Sequence, residues 1–490
     1  MKGSTSLKKK TLSGFFWSFT DLFANQGIQF VIQIILARLL LPEHFGVIGM
    51  ILVFIAISNS IIDSGFSQAL IREKDANQVD YSTVFYFNLI MAFVMYGVLY
   101  ISAPSISGFF GEPQLILILR VLSLVLIIDS FGIIQRVTLI KNVDFRTQMK
   151  INIISGTTSG VIAIIFALMD YGVWSLVIKI LSMQFFQSLL LWLFNKWVPS
   201  ITFSIQSLKR FFGFGSKLMV SGLIDTVYNN IYFVIIGKFF STSQLGYYTN
   251  AVKLRDVVSQ SITSSFQRVT YPVLSSIKED EKRLKSGFRK VVKTSSFIIF
   301  PVMIGLIAIA SPLINLLLGD KWMPSVKYFQ LLCLAGMLYP LHSINLNILL
   351  VKGRSDLFLL LEIIKKLILT ILIVLSLWFK VGIMGLIIVA VLHSYLALFV
   401  NTYFSSKEIS YSMREQIKDI LPIFLIALFM GIVVFYIGTI LPSSNILKIV
   451  IQISSGCIVY VSISILAKIN EFNTVYELVR PFFKKLKRAS

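Results

Sequence analysis

Long uncharged apolar stretches recur along this chain, the longest of them enough to cross a bilayer as a helix, and that pattern limits its fold more than any motif. Residues 81–111 contain no charged side chain, and neither do residues 420–447. A helix rises 1.5 Å per residue, so about twenty residues cover a hydrocarbon core of about 30 Å. A soluble core helix would instead carry one apolar stripe of period 3.6. Only 14% of the 490 residues are charged, against about 25% in an ordinary soluble domain. The chain is therefore expected to be an all-α polytopic membrane protein.

Apolar runs between charged or Pro/Gly breaks give fourteen expected spans: 12–36, 45–70, 81–103, 114–140, 151–169, 173–194, 214–237, 246–271, 290–311, 325–351, 357–379, 382–403, 418–440 and 446–468. Lys2, Lys8, Lys9 and Lys10 precede the first span, but no short apolar core with a cleavage site follows, so no removable signal is expected. With both ends in the cytoplasm, the inner segments hold 32 Lys and Arg and the outer loops six. That bias fits the rule that basic residues stay inside, and an odd span count would scramble it. The net charge of +22 then reads as loops facing anionic lipid rather than as a nucleic-acid surface. Cys333 and Cys457 both fall in apolar runs, so no disulfide or metal cluster is expected.

An internal duplication organises these spans. Ala37–Gly46 has a counterpart 200 residues on, Gly237–Gly246: apolar helix, basic residue, short loop, then Gly. Lys141-Asn142-Val143-Asp144 has one at Lys352-Gly353-Arg354-Ser355, displaced by 211, and Tyr171-Gly172-Val173 one at Val381-Gly382-Ile383, displaced by 210. Residues 1–200 are expected to form one six-helix lobe, 201–410 its parallel copy, and 411–490 an added helix pair with a basic cytoplasmic tail. Parallel repeats of this kind are a transporter architecture, two bundles around a central cavity.

Polar side chains are costly in hydrocarbon and normally face a bundle interior or water. In the first span Asp21, Asn25, Gln29 and Gln33 recur every fourth residue, and Ser221, Asp225 and Asn229 match them in the seventh. Asn59, Asp63 and Ser67 in the second span match Ser259, Thr263 and Gln267 in the eighth, beside Lys253, Arg255, Asp256, Gln260 and Arg268. Interhelical hydrogen bonding explains many such residues singly. Repetition in both halves points to a wet cavity, reached through the gap lined by spans one, two, seven and eight. Four isolated charges also stand out. Arg120 is expected to reach toward the interface, Asp129 to pair with Arg120 or Lys179, and Glu362 to pair locally with Lys365 or Lys366. His44, His342 and His393 are scattered.

The motifs resemble a known family. Ala37-Arg38-Leu39-Leu40 with Pro42, Phe45 and Gly46, the segment Asp63-Ser64-Gly65-Phe66-Ser67-Gln68-Ala69-Leu70-Ile71, and Gly319-Asp320-Lys321-Trp322-Met323-Pro324 are similar to hallmarks of polysaccharide exporters. These form the Wzx-type branch of the multidrug/oligosaccharidyl-lipid/polysaccharide flippase superfamily, with colanic and teichuronic acid exporters nearest. The resemblance implies a flippase, not an enzyme, in the bacterial inner membrane. It would carry undecaprenyl-pyrophosphate-linked oligosaccharide to the outer leaflet by alternating access, serving lipopolysaccharide or exopolysaccharide synthesis beside a polymerase and export machinery. Related flippases hold the pyrophosphate with cavity cations, and Lys or Arg suits that group.

Lys179, Lys253, Arg255 and Arg268 are the expected cations, with Asn25, Asn229, Gln260 and Gln267 for sugar or phosphate. Asp21 stands where a basic residue would serve a pyrophosphate site on the first span. With Asp63 and Asp225 it is a candidate for coupling to a proton or Na+; no other cofactor is expected. A cation-coupled multidrug antiporter is the nearest alternative, though it predicts a more acidic cavity. A glycan polymerase or ligase fits less well, because the outer loops are short and lack a catalytic cluster. No G-x-x-x-x-G-K-[ST] loop for an ATP-driven pump occurs.

Overall fold

The computed structural model describes Trp17, Thr20 and residues 24–441 and 444–486, with the side chains of 214, 478, 479 and 481–486 set aside. Asp21 and the basic start lie outside the described residues. Among the described residues there is no strand. Among the same residues, eleven helices are long and apolar enough to cross a membrane.

Two compact units divide the chain, Met1–Thr249 and Asn250–Ser490. The first holds α1 (24–39), α2 (Pro42–Asp63), α3 (Phe66–Arg72), α4 (Gln78–Phe110), α5 (Leu115–Leu122), α6 (Leu124–Lys141), α7 (Phe145–Leu168), α8 (Val173–Phe194) and α9 (Ile205–Phe239). Helix α10 (Thr242–Ser276) begins in this unit and continues into the second. There follow α11 (Glu281–Ala308), α12 (Ala310–Leu318), α13 (Ser325–Gly336), α14 (Tyr339–Val351), α15 (Ser355–Trp378), α16 (Gly382–Ile409), α17 (Met413–Ile440), α18 (Asn445–Leu466) and α19 (Asn470–Leu486).

Three of the fourteen expected spans are not among the eleven apolar helices. The first begins among residues that are not described. The other two are too polar: α10 carries Lys253, Arg255, Asp256 and Arg268 among many Ser, Thr and Gln side chains, and α15 carries Asp356, Glu362, Lys365 and Lys366. The packing boundary also differs from the repeat boundary at 200/201. Helix α9 packs on α2, α3 and α4, because small residues let the backbones approach. A Cβ on Gly237 would press on Met50 and Phe110, and one on Gly215 on the Ser64 carbonyl.

The expected second span is broken. Ser64 (φ 45°) and Gly65 (φ 71°) both take left-handed backbone, and Gly65 abuts Gly215, where a Cβ would lie 2.8 Å from the carbonyl oxygen. Only glycine combines that turn with that approach. The break exposes the ends of α3, and both are capped. The Asp63 carboxylate accepts from the Ser67 N–H (3.2 Å) and from its hydroxyl. Lys141 Nζ donates to the carbonyls of Glu73 (2.6 Å) and Leu70 (3.4 Å) and to the Tyr81 hydroxyl (3.0 Å). Each cap meets backbone groups a helix end leaves unpaired.

In the second unit α17 is clamped to α11. Arg289 donates twice to Asp419, at 2.5 and 2.6 Å, and the buried Tyr411 hydroxyl donates to the same carboxylate at 2.5 Å. Lys285 lies 3.2 Å from Glu415. Burial and its bond to Asp419 push the Tyr411 hydroxyl well above its ordinary range.

Candidate functional site

Helix α10 separates two kinds of polar residue by its turn. Lys253, Asp256, Gln260, Ser264, Gln267 and Tyr271 fall within about 80° of one another at 100° per residue, and all are exposed or half-buried. Arg255, Ser259 and Thr263 fall on another face and are buried. Ser259 Oγ donates to the Gly336 carbonyl at 2.8 Å, and the Arg255 stem lies on Gly336, where a Cβ would come within 2.9 Å of it. Helix α13 can approach only because position 336 lacks a side chain.

Arg255 is 7% exposed, a guanidinium inside a membrane helix. Its charge is held locally: Nη2 and Nε sit 2.7 and 2.8 Å from the neighbouring Asp256 carboxylate, and Cζ lies 5.1 Å from the centre of the Tyr339 ring. The cation–π and ion-pair contacts together make a buried charge tolerable. The half-buried Asp256 carboxylate sits at the edge of the exposed stripe that carries Lys253 and Gln260. The expected cations on α10 thus differ in state: Lys253 and Arg268 are exposed, Arg255 is neutralised.

The other expected residues distribute as follows. Asp225 and Asn229 are exposed on α9, and Lys179 is half-buried on α8. Asn25 on α1 has a buried Oδ1 without a hydrogen-bond donor and lies beside Gly156 of α7. Gln29, one turn on, reaches the Met183 sulfur at 3.7 Å. Asp63 spends its carboxylate on α3, as described above. Asp129 pairs with Arg136 at 2.9 Å and accepts from Gln184, so its partner is neither Arg120 nor Lys179. Asp129 and Arg136 lie two helical turns apart on one face, nearer than either expected partner. Arg120 instead sits over the Tyr100 ring at 4.3 Å. Glu362 and Lys365 form the expected local pair at 2.5 Å.

The duplication is visible in space within the first unit. A Cβ on Gly46 would strike the carbonyl oxygen of Thr242, and a Cβ on Gly246 would strike that of Pro42. Positions 42 and 46 correspond to 242 and 246 under the 200-residue displacement, so the contact is reciprocal, as a local two-fold axis requires. The N-terminal ends of α2 and α10 therefore meet backbone to backbone.

A model of the polysaccharide biosynthesis protein family matches residues 35–327. The chain belongs to that family. Among curated members, the teichuronic acid biosynthesis protein TuaB of Bacillus subtilis is 28% identical over 72% of this chain and 73% of its own. The lipopolysaccharide biosynthesis protein WzxC of Escherichia coli is 24% identical over 72% of each. Among solved structures, the lipid II flippase MurJ in an inward closed conformation superposes with a TM-score of 0.71 at 17% identity. That match covers 97% of this chain and 99% of MurJ. This member of the polysaccharide biosynthesis family therefore has the MurJ-like polytopic helical fold, including the added helix pair.

One polar cluster of this family member escaped the sequence. His342, on α14, pairs through Nε2 with Ser394 Oγ (3.1 Å) and through Nδ1 with Asn401 Nδ2 (3.2 Å), both on α16. His393 Nε2 lies 3.0 Å from the Lys365 carbonyl. Along the sequence the histidines are scattered, and the partners of His342 and His393 lie on other helices. At the ends of α6 and α14 the structure sets the displacement at 210 rather than 211, since Val143 and Gly353 take the same left-handed backbone, and that places His342 opposite Gly132 of the first repeat.

Proposed function

We propose that this protein is a flippase that carries undecaprenyl-pyrophosphate-linked oligosaccharide repeat units from the inner to the outer leaflet of the bacterial cytoplasmic membrane by alternating access. The supply would serve lipopolysaccharide or exopolysaccharide assembly, with a polymerase or export machinery downstream and both chain termini in the cytoplasm. Membership of the polysaccharide biosynthesis family carries the reading. A fold shared along 97% of the chain with a lipid II flippase supports it, since lipid II is itself a lipid-linked saccharide. The chemistry of α10 agrees: Lys253 and Arg268 offer exposed cations to a pyrophosphate, while Gln260 and Gln267 on the same helix offer amides to sugar hydroxyls.

Arg255 would join the site by exchanging its Asp256 partner for substrate phosphate, an exchange that keeps its charge compensated throughout. Asp225, Asp63 and Asp21 remain proposals for ion coupling, with Asn25, Asn229 and Lys179 as further contacts.

The test is translocation of an undecaprenyl-pyrophosphate-linked saccharide in vesicles holding the purified protein, read by accessibility to an external glycosidase. Arg268→Glu, an exposed position, should leave the protein in the membrane and slow translocation at least about tenfold, the equivalent of one lost charge-assisted bond of about 1.4 kcal/mol or more. Unchanged translocation would remove Arg268 from the site, and no translocation by the parent protein would overturn the function.

A further inference from the structure

Charge is sorted by face on α17. Glu415 and Asp419, one turn apart, meet Lys285 and Arg289 of α11. Arg414 and Lys418, also one turn apart, are exposed, and among the described residues neither forms an ion pair. At 100° per residue, Arg414, Ile417, Lys418 and Leu421 fall within about 100° of one another. The two cations therefore share a stripe with two exposed apolar side chains, on a helix apolar enough to span the membrane.

That stripe borders a cavity of about 330 Å³. Helix α17 packs on α11 and scarcely touches α16, its predecessor in the chain, so a groove opens between α16 and α17. Val292 and Phe300 of α11 and Leu341 of α14 form its buried floor. Phe399 of α16, with Ile417 and Leu421, forms its exposed rim. The amides in its wall are committed to the protein: Asn345 Nδ2 donates to the Leu341 carbonyl at 2.9 Å, and Gln416 Nε2 to the Tyr411 carbonyl at 3.5 Å. What they leave is an apolar slot with a basic mouth.

The length of the slot narrows what can fill it. Met413 and Phe424 both line it, eleven residues apart, which at 1.5 Å per residue is about 16 Å, half of a hydrocarbon core of about 30 Å. The groove is thus one leaflet deep. Basic residues gather at its Met413 end, Arg414 and Lys418 with Lys285, Arg289 and Lys407, and such residues stay on the cytoplasmic side. A partner helix crossing the bilayer would need a seam twice as long. A second copy seated by two-fold symmetry would bring the same two cations against these. An anionic lipid of the inner leaflet meets both limits, with an acyl chain to match the depth and a head group to match the charge.

We propose that the α16–α17 groove is a binding site for an anionic glycerophospholipid of the cytoplasmic leaflet. One acyl chain lies over Val292, Phe300 and Leu341, and Arg414 and Lys418 hold the phosphate, their long side chains reaching toward the interface. The lipid ties α17, the first helix of the added pair, to α16, the last of the second repeat, across a seam that side chains barely bridge. The site is independent of the flippase reading and of the cations on α10.

The purified full-length protein, stripped of lipid in detergent, can be titrated with phosphatidylglycerol and with phosphatidylcholine of the same chains and followed by native mass spectrometry. One phosphatidylglycerol should be retained at least about tenfold more tightly, as two basic residues facing one anionic head group imply. Arg414→Gln with Lys418→Gln should abolish that preference while melting as the lipid-free parent does. Arg414→Lys, which keeps the charge, should keep the preference, as should Lys209→Gln with Lys217→Gln on α9. Phosphatidylglycerol with a photoreactive group midway along one acyl chain should label α16 and α17 around Phe399 and Leu421. Equal retention of the two lipids, a preference that survives loss of both cations, or labelling spread over other helices overturns the site. Displacement of the phospholipid by an equal concentration of undecaprenyl phosphate would give the groove to the carrier lipid. Two copies joined through Ile417 and Leu421 would give it to the protein itself, and either result overturns a phospholipid occupant.

Discussion

The α6–α8 seam of the first unit and the α14–α16 seam of the second are built on one plan with different chemistry. Gln135 and Asn195 pair across the first, the Asn195 amide donating to the Gln135 carbonyl at 3.0 Å. Their counterparts 210 positions later, Asn345 and Ser405, pair across the second at 2.5 Å. Toward the other end the seams diverge. The first holds a fixed charge, Asp129, bonded to Arg136 and Gln184; the second has Tyr339 and Ser394 at the positions of Asp129 and Gln184, and His342 between them. A duplicated pair of helices has thus kept a bond at one end, while at the other the first seam is crossed by Gln184 donating to an ion-paired Asp129 and the second by an imidazole bonded to Ser394 and Asn401.

The largest expected effect breaks the first seam. Asp129→Leu leaves Arg136 without its carboxylate in a half-buried place, at a cost of about 2–3 kcal/mol for an uncompensated charge. The purified protein should lose several degrees of melting temperature in detergent, and Asp129→Leu with Arg136→Leu together should regain most of them. No recovery in the double variant would show that the loss comes from the Gln184 bond across the seam rather than from the stranded Arg136.

The seams also mark how far the sequence could be read. The polytopic helical fold and the local Glu362–Lys365 pair were legible, because each depends on composition or on spacing within one helix. The breaks at Ser64–Gly65 and Met337–Leu338 were not, since hydropathy runs straight through them. Nor was Arg136 as the partner of Asp129, two turns on along the same helix, or the cap that occupies Asp63, which exists only because the helix breaks at Ser64–Gly65. Arg255 was found as an intramembrane charge, but its burial against Gly336 and Tyr339 needs the approach of α13 and α14. Single-sequence patterns locate polar residues; tertiary contact decides which are already spent.

The next effect tests whether α2 and α10 remain equivalent where their first turns touch. Gly46→Ala and Gly246→Ala each push a methyl group into a carbonyl oxygen across the same local two-fold contact. Overpacking of this kind costs about 2 kcal/mol, and the two variants should lose equal stability and equal translocation within error. The double variant should cost less than the sum, because the first methyl already parts α2 from α10. Strongly unequal losses would show that the reciprocal geometry does not reflect a symmetric load.

The smallest effect lies at the shared anchor. Asn195→Ala removes the donor to the Gln135 carbonyl and to the Thr138 hydroxyl, and Ser405→Ala removes the donor to Asn345 Oδ1. Interhelical hydrogen bonds in membrane proteins average about 0.6 kcal/mol, since the separated helices find other partners. Both variants should therefore melt within a few degrees of the parent. The difference between them is informative. Asn345 keeps its own bond to the Leu341 carbonyl at 2.9 Å, and so loses an acceptor contact only. Asn195→Ala leaves the Gln135 carbonyl still accepting from the Thr138 hydroxyl at 2.8 Å, whereas Ser405→Ala leaves the buried Asn345 Oδ1 without its donor, so Ser405→Ala should be the costlier of the two, measured by unfolding in detergent at fixed pH. If Asn195→Ala cost more, the first seam would depend on its anchor more than the second.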